Sequence, residues 1–123
     1  MTSAARIKAL AEETARAFAV DPSLAVGGGH TRVRRTQGLA CEIEDGAWRF
    51  VSDTPASAGG ASEGPDPGVL IRGALGACLT MDIVTWAARL DVAVTTVEVR
   101  VHRPWMRAAT TASTTACRRA TKR

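Results

Sequence analysis

Hydrophobic positions along this chain fall into differently spaced patterns. Over residues 4–20, Ile7, Leu10, Ala11, Ala15 and Phe18 share one helical face, while Lys8, Glu12 and Arg16 point elsewhere. That spacing predicts an amphipathic helix, broken by Asp21-Pro22-Ser23. Residues 31–52 read as a β-hairpin around Asp45-Gly46, a strong two-residue turn signal. Pairing outward from that turn sets Ile43 opposite Trp48 and Cys41 opposite Phe50 on an apolar face. Glu42 then faces Arg49 on the other side. Cys41 is expected there as a small buried hydrophobe.

The stretch Gly64 to Leu90 is apolar on every side and predicts one long, buried helix. Asp66 then Pro67 supplies its start, an N-cap followed by proline at the first helical position. Gly73 and Gly76 inside it each cost about 1 kcal/mol against alanine, which implies close approach by another backbone. Val97, Val99 and Val101 alternate with Glu98, Arg100 and His102, the pattern of a half-buried strand. Gly27 to His30 is a connector without the residues of a phosphate loop. Residues 53–66 are a second loop, rich in Pro, Gly, Ser and Ala. Helix, hairpin, long helix, strand is an α+β order, with an antiparallel sheet wrapped on the long central helix.

A chain of 123 residues has room for one modest core. No uninterrupted apolar run reaches the roughly 18 residues of a membrane span, so no membrane is expected. The start lacks a signal-peptide pattern, and Glu12 and Glu13 argue against a transit peptide. Three cysteines at unrelated spacings make neither a disulfide framework nor a zinc site, with only His30 and His102 to assist. The expectation is a reduced, cytoplasmic protein without metal or cofactor. The net charge of +4 belongs to the end of the chain. Without Arg103, Arg107, Arg118, Arg119, Lys122 and Arg123, ten cations face twelve acids. A basic tail is one route to nucleic acid, and the weakest of the readings here.

The order of these motifs resembles the OsmC/Ohr family of thiol peroxidases. The match runs from about Thr31 to Trp105. It rests on Gly64-Pro65-Asp66-Pro67, an apolar helix, then Gly76-Ala77-Cys78-Leu79-Thr80-Met81, with a hairpin ahead and a strand behind. The resemblance implies an intertwined homodimer that reduces organic hydroperoxides. Cys78 inherits the peroxidatic role, and an external thiol, a lipoylated protein or a small thiol, regenerates it. It also implies an arginine from the early strands to hold the thiolate, and a carboxylate near the helix start to orient it. Arg35 lies nearest that arginine's position, with Arg34 next. Gly68 stands at the carboxylate's position, and Glu63 is the substitute in the loop. Physical chemistry agrees on the need for a cation: a free thiol has a pKa near 8.5, and the helix dipole fades within the first turn. Asp82, one turn beyond Cys78, is an anion on the same face.

After Trp105 the pattern is lost. Residues 106–123 are almost all Arg, Ala and Thr without periodicity, as a GC-rich gene reads out of frame. Codons compatible with Met106 to Ala116, read with one G restored after the Trp105 codon, give Asp-Ala-Arg-Gly-Asp-Tyr-Gly-Ile-Asp-Asp-Gly, a loop suited to follow this strand. The chain thus divides into an N-terminal helix and connector (1–30), a partial OsmC-like domain (31–105) and an aberrant, basic, disordered tail (106–123). The resemblance also implies a second cysteine, on a later helix, that resolves the oxidised thiol as a disulfide; Cys117 in that tail is not that cysteine by descent. The function classes left open are a thiol peroxidase, a non-catalytic OsmC-like fragment and a basic-tail binder.

Overall fold

The computed structural model describes residues 3–104; the tail, with Cys117, lies outside the described residues. The elements run α1 (Ala4–Val20), a 3-10 turn (Pro22–Ala25), β1 (Arg32–Arg35), β2 (Cys41–Asp45), β3 (Trp48–Ser52), a second 3-10 turn (Ala56–Ala58) and α2 (Pro67–Arg89). The architecture is α+β, with the strands forming one antiparallel sheet in the order β1-β2-β3.

Both helices start where a side chain satisfies their end groups and stop where backbone amides do. Ser3 caps α1 by accepting the Arg6 amide at 3.3 Å. The Asp66 carboxylate caps α2 by accepting the amides of Gly68 at 2.7 Å and Val69 at 3.1 Å. At the far end of α2, Asp91 takes the left-handed conformation at φ 56°. Val92 then donates to the Ala87 carbonyl at 2.9 Å and Asp91 to Ala88 at 3.4 Å, a Schellman closure. The expected face of α1 docks on α2, where Ile7, Leu10, Ala11, Ala15 and Phe18 line a shallow groove with Thr85. Lys8 pairs with Asp91 and fastens the two helices at one end.

The hairpin differs from its expectation in register. Gly46 has φ 53° and Ala47 does not, so the turn is Gly46-Ala47, with glycine at the first central position of a type II′ geometry. Ile43 therefore pairs with Phe50, Cys41 with Ser52 and Trp48 with Asp45. Moving the turn by one residue slides the partner strand by two. A slip of two leaves every side chain on its expected face. The expected hairpin is also a three-stranded meander, because β1 adds to β2 with Val33 opposite Ile43 and Arg35 opposite Cys41. On the charged face Arg32 and Arg49 both hydrogen-bond Glu44, and Arg34 meets Glu42 at 2.7 Å. The Arg32 hydrogen bond holds the Glu44 carboxyl below its ordinary value.

The loop from β3 to α2 is wound around Asp53, which is 2% exposed. Its carboxylate accepts the amides of Thr54 at 2.7 Å, Ala61 at 2.8 Å and Glu63 at 3.3 Å. Ser52 donates its hydroxyl to the Pro65 carbonyl at 2.9 Å, which draws the loop's end back to the sheet. The winding leaves no room at Gly64, where a Cβ would stand 2.1 Å from the Val51 carbonyl oxygen.

Burial of α2 is where the structure overturns the sequence reading. Only Ala40 and Ala88 are buried apolar residues among those described, and no large side chain is fully buried. Ile71 is 62% and Met81 66% exposed, and Cys78 is exposed with them. The sheet meets α2 at its first turns and does not wrap along it. The reason is size: five-residue strands span about 17 Å, whereas 23 helical residues span about 34 Å. No backbone approaches Gly73, and Gly76 meets only the Val101 side chain, 3.5 Å from where a Cβ would stand. Residues 97–101 keep their alternation, with the valines half-buried and Glu98 and Arg100 exposed. They pair with no strand among the described residues, so the expected ladder is absent there. By length and composition α2 reaches the threshold for a membrane span, with mean hydropathy 1.5. The sequence reading missed this because Arg72 and Asp82 interrupt the apolar run without bringing its mean down far.

Two predictions follow from the loop and the glycines. Gly73→Ala, with open space around it, raises unfolding free energy by about 1 kcal/mol. Gly64→Ala lowers it, because the Val51 backbone must move. Urea unfolding followed by far-UV circular dichroism separates the two signs. Asp53 is held below the ordinary carboxylate value of 3.8, first by the Ala61 amide and then by those of Glu63, Thr54 and Ser62, against the opposing effect of burial. A depressed folded pKa means the stabilisation is full above the unfolded value and lost as pH falls through the folded one. The protection factors of the Ala61 and Glu63 amides, measured against the intrinsic exchange rate at each pH, therefore hold down to about pH 4 and fall below it. Asp53→Ala gives low protection at every pH.

Candidate functional site

Cys78 lies eleven residues after Pro67, about three turns into α2. The Asp66 cap and Pro67 fix where the helix begins, and so the face on which the thiol emerges. Leu75, Met81 and Asp82 are its neighbours at helical spacing, and all are exposed. Thr80 turns its hydroxyl back to the Gly76 carbonyl at 2.8 Å. Asp82 forms no ion pair among the described residues.

The two candidate arginines stand on opposite faces of the sheet. Arg34 is spent on Glu42. Arg35 ends β1 directly opposite Cys41 and donates Nε to the Gly38 carbonyl at 2.9 Å. Cys41 is half-buried and lines a cleft with Leu70 of α2. Cys78 is eight residues further along the helix than Leu70, about 12 Å by helical rise. No hydrogen bond, ion pair or shared cleft joins either arginine to Cys78 among the described residues. Within one chain the thiol that Arg35 accompanies is Cys41.

Glu63, the substitute carboxylate, accepts from Gln37 Nε2 at 3.3 Å rather than from an arginine. Gly68 contributes only its amide, to the Asp66 cap. His30 and His102 are exposed, and among the described residues no three His, Cys, Asp or Glu side chains gather as metal ligands would. At the end of α2, Arg89 lies over the Trp86 ring at 4.4 Å, a cation–π contact.

Sequence reasoning passed over Asp53 and Thr54. Asp53 orders the loop that aims α2, and the Thr54 hydroxyl is buried without a hydrogen-bond partner among the described residues. The signal available was Asp53-Thr54-Pro55 at a strand end with Gly59-Gly60 following, an Asx residue placed to wind a loop. Set against family models, curated proteins and solved structures, the chain matches none.

Proposed function

We propose that this chain carries the chemistry of an OsmC/Ohr-like thiol peroxidase acting on organic hydroperoxides, with Cys78 as the peroxidatic thiol. The observation that supports this reading is an exposed cysteine on a capped, apolar helix entered through Gly64-Pro65-Asp66-Pro67. The thiolate attacks the terminal peroxide oxygen. A sulfur–oxygen bond forms as the oxygen–oxygen bond breaks, leaving a sulfenic acid and an alkoxide that takes a proton to become the alcohol. An external dithiol, such as a lipoylated protein, then condenses with the sulfenic acid and releases water. Its second thiol displaces Cys78 and leaves as the disulfide. A cytoplasmic setting keeps such dithiols reduced.

A free thiol with a pKa near 8.5 is only about 3% thiolate at pH 7. The reading therefore needs a cation at Cys78. Arg35 from a second copy supplies it in a homodimer, and the exposed Ile71, Leu75, Leu79 and Met81 are the surface such a dimer covers. A second reading, a non-catalytic OsmC-like fragment, is favoured by the position of Arg35 beside Cys41 in the single chain. The basic-tail reading rests on residues outside the described ones.

Thiol labelling with and without cumene hydroperoxide, mapped by mass spectrometry, separates these readings. The peroxidase reading expects selective oxidation of Cys78, sparing Cys41, and a slowing of about tenfold in Arg35→Ala as the thiolate fraction falls. An unreactive Cys78 in a folded sample overturns it in favour of the fragment. Binding of nucleic acid that falls steeply with salt and is lost on deleting residues 106–123 would instead support the tail.

A further inference from the structure

One stripe of α2 stays open along most of its length. Ile71, Leu75, Cys78, Asp82, Trp86 and Arg89 recur at spacings of three and four, and each is exposed. Arg89 lies over the Trp86 ring. Asp82 is then the charge on this stripe with no ion pair among the described residues. The neighbouring charges are committed elsewhere: Lys8 of α1 to Asp91, with Glu12 close to it, and Arg100 to Glu98. Arg72 is half-buried in the groove that Val99 and Val101 share with Gly73 and Gly76, and His102 is exposed. The place where the described chain ends brings one more segment within reach. Val101 stands against Gly76, and residue 104 is three positions further on. From there residues 105–123 are long enough to reach up to about 60 Å, against about 34 Å for the whole of α2. They open with Trp105-Met106 and carry Arg107, Arg118, Arg119, Lys122 and Arg123 without an acid.

We propose that residues 105–123 dock on this stripe of their own chain, with their cations against Asp82 and Trp105-Met106 on the apolar side chains beside it. A tethered segment meets its target at an effective concentration in the millimolar range, so a contact too weak to hold a separate peptide holds here. A guanidinium on Asp82 is a charge-assisted contact one helical turn from Cys78. It offsets the anion that opposes a thiolate at Cys78 and adds a cation that favours one. The single chain, in which Arg35 stays beside Cys41, thereby gains a source of positive charge at Cys78. The proposal takes Cys78 as the site described above but does not depend on its reaction with peroxide. A second copy seated on the same stripe would displace the segment.

Cys117 within the segment is the proximity reporter. An equal mixture of isotope-labelled and unlabelled full chain is oxidised with diamide, which takes two electrons and two protons from a pair of thiols as they join. Mass spectrometry then measures the Cys78–Cys117 and Cys41–Cys117 disulfides within one chain. Each yield is divided by that cysteine's rate with iodoacetamide, which removes differences in exposure. The proposal expects the corrected yield at Cys78 to exceed that at Cys41 at least tenfold at about 20 mM salt, and to fall at least threefold at about 500 mM. Asp82→Asn lowers it by a similar factor, and so does glutamine in place of the five cations. In that five-glutamine chain the pH of half-maximal alkylation rises at Cys78 and stays where it was at Cys41. Equal corrected yields at the two cysteines, or a yield that salt does not change, overturn the proposal. A predominance of disulfides of mixed isotope assigns the stripe to a second copy and overturns it as well. A Cys78 inert to cumene hydroperoxide, with the diamide yields as expected, counts against the peroxidase reading alone. The decisive readouts use the unaltered chain, so they stand even where a variant fails to fold.

Discussion

The carboxylate of Asp53 holds together the parts of this structure that face one another. It collects amides from both limbs of the loop between β3 and α2, and so closes the loop on itself. Closure lets Ser52 reach the Pro65 carbonyl and lets Gly64 pass against the Val51 backbone. Only then does Asp66 arrive where it can cap α2. The direction of the long helix, the wall of the cleft and the face carrying Cys78 all descend from that one buried anion. Backbone amides are well suited to such a role, because they lower the carboxyl pKa without bringing a counter-ion whose own desolvation would offset the gain.

What Asp53 aims is a helix larger than its cover. A fully buried leucine or isoleucine side chain contributes roughly 1.5–3 kcal/mol, yet most of the large apolar side chains of α2 stay in contact with water. The α1 helix covers one stripe near Thr85, and the half-buried valines of residues 97–101 lie near another at Gly76. An exposed apolar surface of this kind marks an interface in natural proteins.

The sequence made the helix ends legible because each is a local event. Asp66, Pro67 and the Asp21-Pro22-Ser23 break act within a turn of their own positions, and the boundaries followed from them. The hairpin register was less legible, since Asp45-Gly46 and Gly46-Ala47 are both competent turns. The observed turn sets Glu44 opposite Arg49 and Glu42 opposite Val51. Faces survived the slip because the side-chain period is two. Burial was the least legible property of all. An all-round apolar helix predicts what it prefers, not whether enough other chain is present to satisfy the preference. The alternation at residues 97–101 makes the same point: Val99 and Val101 lie along α2 near Gly76, while the backbone pairs with no strand among the described residues.

The same limit governs the candidate site. Cys78 was readable from its place in a motif, but its chemistry depends on what stands beside it. A thiol three turns into a helix gains nothing from the helix N-terminus, and Arg35 pairs across the sheet with a different cysteine. Asp82 on the Cys78 face adds an anion where a thiolate would form, which makes the demand for a cation stronger. The apolar side chains around Cys78 and the want of a cation beside it among the described residues are therefore one requirement seen twice. A surface that covers Ile71, Leu75 and Met81 also decides the charge the thiol meets. If that surface carries an arginine, the exposed thiol becomes a nucleophile; if it is only apolar, burial without a counter-charge favours the neutral, inert form.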